Sequence, residues 1–221
     1  NIYEEKAHVV VSKKRSLEAA RAYKGTKTAV HNFASAKNPG GGVVNGASAQ
    51  EECLCRCSDL YFCLNTNAMM EGFYLPHRAM SSLLYNGDVI YTPDIIVFKS
   101  DDASPRTMPE KDWYEVDIIT CAAPNLRHGI LGGNTDLRTI HETRLRRMLD
   151  IAVTKGVESI VLGAFGCGAF MNDPAIVADA SKRVLKDYLY AFKNIEYAVY
   201  CSPKNDSNYQ AFRRTLAEYC G

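Results

Sequence analysis

The chain has 221 residues, 47% of them hydrophobic and 23% charged, with a formal net charge of +1. That length and apolar fraction suit one domain, residues 1–221, with a sizeable core, and the near-neutral charge argues against bulk, non-specific nucleic-acid binding, which needs a basic surface. No apolar run approaches the ~18 residues of a membrane span, so no membrane association is expected.

The start, NIYEEKAHVVV, is charged and lacks the apolar core of a signal peptide. It opens on Asn1 rather than an initiator Met, which leaves room for a native N-terminal piece ahead of it. The eight cysteines, Cys53, Cys55, Cys57, Cys63, Cys121, Cys167, Cys201 and Cys220, lie in a chain too long for a small disulfide scaffold. Several fall in apolar runs where a free thiol acts as a small hydrophobe. A reducing, intracellular and cytoplasmic setting is expected.

In chain order, residues 8–11 predict a strand, 16–22 a short helix and 26–33 a second strand. The stretch NFASAKNPGGGVVNGASAQEE, residues 32–52, follows it. Residues 50–64 predict a helix with Leu54, Leu60 and Tyr61 facing a core. Residues 65–92 are irregular, 95–98 predict a strand, and 100–112, with two prolines, a surface loop. A strand over 116–121 ends at Ala122-Ala123-Pro124-Asn125, and RHGILGGNTD is a second loop. Residues 136–155 have helical periodicity, with Leu137, Ile140, Met148, Ile151 and Ala152 on one side, and Gly156 is suited to follow a helix C-terminus. A strand at 158–162 leads into GAFGCGAFMND. Asp173-Pro174 then provides an N-cap and a first-turn proline for a helix running to Leu189. A strand at 195–201 and a helix at 208–219 complete the chain. This alternation argues a three-layer α/β fold with a mixed central sheet flanked by helices.

Two loops carry the chemistry. Pro39 and the run Gly40, Gly41 and Gly42 let the backbone approach a ligand or adopt positive φ, and seven residues later the helix opens with Gln50-Glu51-Glu52. Gly163, Gly166 and Gly168 lie between a strand and a capped helix, where backbone amides form an anion nest. Neither loop is a Walker A or a G-x-G-x-x-G fingerprint. Two such loops, each after a strand, suit a diphosphate gripped from both sides. Neighbouring helical residues diverge by ~100°, so Glu51 and Glu52 do not straddle a sugar as a two-carboxylate glycosidase pair does. One instead points at a leaving oxygen while the other orients it or the sugar. A diphosphate would raise the acid's pKa and the helix N-terminus would lower it, which leaves the sign open.

Other patterns are set aside. Cys53, Cys55 and Cys57, with Cys63, resemble metal ligands, but alternate spacing spreads them around a helix, and no metal is expected. HETRL at 141–145 has Leu145 where an HExxH motif needs its second His. Cys167 is expected to offer its backbone amide rather than a nucleophilic thiol. Arg144, Arg146 and Arg147 are expected on a solvated helix face. Of Phe165 and Phe170, one is expected in the core and Phe170 beside a ribose or base.

Together, NFASAKNPGGG followed after seven residues by QEE, IITCAAPN at 118–125 and LGAFGCGAFMNDP at 162–174 resemble the bacterial-type poly(ADP-ribose) glycohydrolases, a branch of the macrodomain superfamily. The similarity spans about residues 16–200. It implies a macrodomain fold that binds ADP-ribose and hydrolyses the ribose–ribose O-glycosidic bond of poly(ADP-ribose) without a cofactor. By motif position, Glu52 is the general acid and Glu51 orients the distal ribose and water. Gly40, Gly41 and Gly42, with Val43 beside them, form a diphosphate loop near the scissile ribose. Gly163, Gly166, Cys167, Gly168, Ala169 and Phe170 form the second, with Phe170 over the ribose. Asn32, Asn38 and Gln50 are further substrate-binding candidates. Ser35 stands where many other macrodomains have Asn, which fits the glycohydrolase branch. The expected partner is poly(ADP-ribose) or ADP-ribose, carried on a protein or free. A non-catalytic ADP-ribose reader and a mono-ADP-ribosyl hydrolase remain the alternatives.

Overall fold

The structure is a computed structural model that describes residues 2–127 and 136–220. Six strands form one sheet: β1 (His8–Ser12), β2 (Thr28–Ala34), β3 (Val89–Val97), β4 (Tyr114–Ala122), β5 (Ser159–Leu162) and β6 (Asn194–Ala198). Their order is β1-β6-β5-β2-β4-β3. All pairs are parallel except β3 with β4, so the sheet is mixed. The helices are α1 (Ser16–Arg21), α2 (Gln50–Cys57), α3 (Leu60–Leu64), α4 (Asn67–Met69), α5 (Leu75–Ala79), α6 (Leu137–Thr154), α7 (Pro174–Leu185) and α8 (Ser207–Thr215).

Alternating residues of the central strands enter two separate cores, as the period-2 pleat requires. Ala29 of β2, Ile119 and Cys121 of β4, and Ile160 and Leu162 of β5 face α6, α7 and α8. Val30, Val116, Ile118 and Val161 face α1, α2 and α3. Strands covered on both faces are apolar almost throughout, and β2, between β5 and β4, is buried at all but Phe33. Its carboxyl end and those of β4 and β5 open together at one edge of the sheet, where ligands of such sheets bind.

The expected helix over 50–64 is two helices. Ser58 is extended and bridges Val97. Its hydroxyl donates to Leu54 O (2.7 Å) and accepts from Leu60 N (3.3 Å), closing one helix and opening the next. The irregular stretch 65–92 includes α4, a π-helical turn Met70–Tyr74 and α5, then the first half of β3. That half was hidden by Pro93, which is tolerated because β3 is an edge strand with a bulge between Thr92 and Ile95. The helix expected to reach Leu189 ends at Leu185, the strand expected to reach Cys201 ends at Ala198, and the last helix ends at Thr215. Most of the loop RHGILGGNTD lies outside the described residues. Among the described residues, no helix is long and apolar enough to cross a membrane.

Candidate active site

Beyond β2 the chain turns sharply. Ser35 Oγ accepts from the amides of Lys37 (3.2 Å) and Asn38 (3.1 Å), and Gly41 N donates to Asn38 O (2.9 Å). Gly40 and Gly41 have φ of +64° and +60°. A side chain at Gly41 would overlap Glu52 Oε1 and stand 3.0 Å from Glu51 Oε2, so the loop backbone lies directly on both carboxyls. A side chain at Gly40 would meet the Tyr61 ring at 2.8 Å.

Both acids open α2 and are buried, Glu51 at 3% exposure and Glu52 at 7%. Glu51 is tied on both oxygens: Ser35 N donates to Oε2 (2.7 Å) and Asn32 Nδ2 to Oε1 (3.3 Å). Glu52 is held differently. Gly42 N donates to Oε1 (2.8 Å), and Oε2 has no protein partner among the described residues. Burial pushes Glu51 from an ordinary 4.5 up to about 8, and the Glu52 charge adds to this; the amides of Ser35 and Gly40 and the Asn32 side chain oppose it. The main cause is thus desolvation, which neither of the opposed effects weighed from sequence included.

The glycine run therefore has a different immediate task from the one expected. Two of its amides are taken up by the protein, Gly41 N by Asn38 O and Gly42 N by Glu52 Oε1, so these donors hold the loop and an acid rather than being offered to a diphosphate. Gln50 is likewise engaged by protein. Its Oε1 accepts from Phe33 N (2.9 Å), and its Nε2 donates to His31 O (2.7 Å) and Ser16 Oγ (3.0 Å), pinning the start of α2 to β2. Asn32 is fully buried and bridges Glu51 to Thr120 Oγ1 (3.1 Å). It stands behind the acid rather than in the cavity wall. Val43 lies in a short 3-10 turn, Val43–Asn45, against the core.

The second loop supplies the donors that the first does not. The amides of Gly166, Gly168, Ala169 and Phe170 have no protein acceptor among the described residues. They precede α7, whose Asp173 cap accepts from Ala175 N (2.8 Å), so the helix dipole adds to an anion-favouring field. Gly166 has φ +77°, and a side chain there would meet Ala123 Cβ and Asn172 Nδ2, each at 2.6 Å. Nothing lies within 4 Å of a side chain built at Gly168, which faces open space. Phe165 is buried against His31 and His141, while Phe170 is half-buried at the rim. Gly163 is not in the wall; a side chain there would meet Ala198 O and Phe33 Cζ, each at 2.7 Å. The Cys167 thiol is pushed up to about 12 by burial, which leaves it protonated and a poor nucleophile.

Between the loops lies a cavity of about 490 Å³. Its walls bring together Asn38, Gly41, Gly42, Gln50, Glu51, Glu52, Gly166, Gly168, Ala169 and Phe170. Asn32, Gly40, Val43, Gly163 and Cys167 support it from behind. A second hollow of about 300 Å³ shares Phe33, Gln50, Ala164 and Gly168 with the first and extends toward Arg15 and Tyr200. Sequence reasoning missed Ser35 as a donor to Glu51, and Phe33 and Arg127 as wall residues. Arg127 is the one cation in that wall among the described residues, its Nε donating to Ala169 O. Its signal was position: it follows AAPN, beyond the carboxyl end of a strand.

Arg144 corrects the expectation of a solvated arginine face. It is 2% exposed and donates to Ala122 O (2.8 Å) and Leu84 O, whereas Arg146 and Arg147 of the expected face do ion-pair at the surface, with Asp187 and Asp88. The eight cysteines are all unpaired. Cys53 contacts Arg15 Nη1 (3.6 Å), whereas Cys55 and Cys57 enter the core and Cys63 is exposed.

An enclosed carboxyl with one buried, unpartnered oxygen thus lines the same cavity as a nest of unpartnered amides. That pairing suits acid-assisted cleavage of a bond carried next to an anionic group. The family described as microbial-type PARG, catalytic domain, matches residues 2–100. No curated relative matches the chain. Among solved structures, the chain is 35% identical to poly(ADP-ribose) glycohydrolase from Thermomonospora curvata bound to the inhibitor ADP-HPD, at a TM-score of 0.86, covering 94% of this chain and 78% of that one. It is also 35% identical to poly(ADP-ribose) glycohydrolase from Deinococcus radiodurans in complex with ADP-ribose, at a TM-score of 0.86, covering 98% and 86%. A further Thermomonospora curvata structure is 34% identical at a TM-score of 0.88, covering 96% and 78%.

Proposed function

The chain belongs to the microbial-type poly(ADP-ribose) glycohydrolase family, and we propose that it hydrolyses the ribose–ribose bond of poly(ADP-ribose) with Glu52 as the general acid. The observation that carries the assignment of Glu52 is its asymmetric anchoring: Oε1 is fixed by Gly42 N while Oε2 is left free. In this reading Glu52 protonates the leaving ribose oxygen as the C1″–O bond breaks. Water then adds to C1″ and returns a proton to Glu52. Glu51, held on both oxygens and with its carboxyl raised to about 8, keeps its proton at neutral pH. It therefore places no carboxylate charge beside the general acid and presents a fixed surface for the distal ribose.

The diphosphate would lie on the free amides of Gly166, Gly168, Ala169 and Phe170, with Arg127 alongside. The ring of Phe170 would cover the distal ribose. The adjoining hollow toward Tyr200 has room for the nucleoside end. One sheet with both faces covered supports a single catalytic domain, and eight unpaired cysteines suit a reducing, cytoplasmic setting. ADP-ribosylated protein is the expected carrier of the polymer.

The test presents the protein with poly(ADP-ribose) and, separately, with a mono-ADP-ribosylated protein. Release of ADP-ribose from the polymer supports the reading. Binding of the polymer without release would instead favour a reader, and release from the mono-modified protein alone would favour a mono-ADP-ribosyl hydrolase.

A further inference from the structure

The mechanism above leaves a buried polar pair unused. His141, in the set-aside HETRL segment of α6, is 2% exposed, and Asn172, in the loop ahead of α7, is 3% exposed. They are hydrogen-bonded, His141 Nε2 to Asn172 Oδ1 at 2.9 Å. The Asn172 amide faces the other way, toward carbonyls. Nδ2 donates to Pro124 O (2.8 Å) and Gly166 O (3.1 Å), with Phe170 O at 3.4 Å. Asn172 N also donates to Gly166 O (3.0 Å). One side chain thus spans both ends of the loop, Gly166 and Phe170, and ties them to the chain leaving β4.

We propose that His141 and Asn172 are positioning residues that hold the anion-binding loop Gly166–Phe170 in its open-handed form, with its amides turned to the cavity. Holding Gly166 O and Phe170 O from behind turns those carbonyls away from the ligand, which leaves the loop amides directed at it. The pair works only in one orientation. Asn172 Oδ1 needs a donor, so His141 must carry its proton on Nε2; a flipped amide would set an oxygen against Pro124 O and Gly166 O. Burial lowers the His141 pKa to about 4, which keeps the ring neutral and a single donor on that side. The geometry also accounts for Gly166, since a side chain there would occupy the place of the Asn172 amide.

This inference rests on the second loop being the diphosphate wall, and the experiment separates the two. His141→Leu removes the donor, while His141→Gln keeps an amide N–H near the Nε2 position. Polymer turnover, ADP-ribose affinity by calorimetry and hydrogen exchange of the 166–170 amides are measured for each. His141→Leu is expected to weaken ADP-ribose binding and raise KM about tenfold, the scale of one buried hydrogen bond, with less change in kcat. It is also expected to speed exchange of the loop amides. His141→Gln should recover to within about threefold of the native protein. A folded His141→Leu with native KM, affinity and exchange would overturn the proposal, as would a Gln variant no better than Leu. Should His141→Leu not fold, Asn172→Ala decides in the same assays. Failure of the native protein to bind ADP-ribose would count against the proposed function, while loop exchange in the variants would still decide the role of the pair.

Discussion

Gly41 stands where a side chain would run into the Glu52 carboxyl: a Cβ built there overlaps Oε1. The glycine run is thus required by the acids it encloses as well as by any ligand.

Gly41→Ala should therefore displace Glu52. Gly25→Ala is the control, because Gly25 has φ +99° but nothing within 4 Å of an added side chain. Both changes carry the strain of a left-handed residue, about 1–2 kcal/mol. Only Gly41→Ala should lower kcat on poly(ADP-ribose), by ~100-fold, as a small misplacement of a catalytic group does. Equal kcat values in the two variants would show that Glu52 does not depend on this contact.

The raised Glu51 carboxyl makes stability depend on pH. Folded, it binds its proton more tightly than unfolded, up to about 8 against an ordinary 4.5. Its contribution is complete below about 4.5 and is lost as pH rises through about 8. The Tm of the unliganded protein should fall across that window, and Glu51→Gln should flatten this part of the slope whatever its absolute Tm. A native profile that rises across the window and is matched by Glu51→Gln would contradict the buried, protonated state.

Arg144 should be worth more to stability than its neighbours. Arg144→Met leaves Ala122 O and Leu84 O without their charged donor and should cost about 3 kcal/mol in urea unfolding. Arg147→Ala removes a half-exposed side chain paired at 3.6 Å with Asp88 and should cost less than about 1 kcal/mol.

Most of the architecture was legible because it rests on local pattern. The apolar runs of β2, β4 and β5 and the Asp173-Pro174 start of α7 are signals carried by adjacent residues. Both loops and the acid pair were legible for the same reason. The destinations of their hydrogen bonds were not. That Gly42 donates to Glu52, and that Gly166 must make room for Asn172, depends on how distant segments close together. Arg144 looked like its charged neighbours because RLRRM gives no hint that the terminal carbonyl of β4 meets that turn of the helix. Asn172 drew no reading of its own from the sequence because its partners lie at positions 124, 141, 166 and 170. The break at Ser58 had no glycine or proline to announce it, since its cause is a bridge to Val97.

The assignment of Glu52 is tested most directly by comparing native protein and Glu52→Gln in poly(ADP-ribose) turnover and ADP-ribose binding. Gln keeps an oxygen for Gly42 N but has no proton to give. The account predicts at least a ~100-fold loss of kcat, with ADP-ribose affinity within about threefold of native, less than one hydrogen bond is worth. Cleavage by Glu52→Gln at the native rate would contradict it.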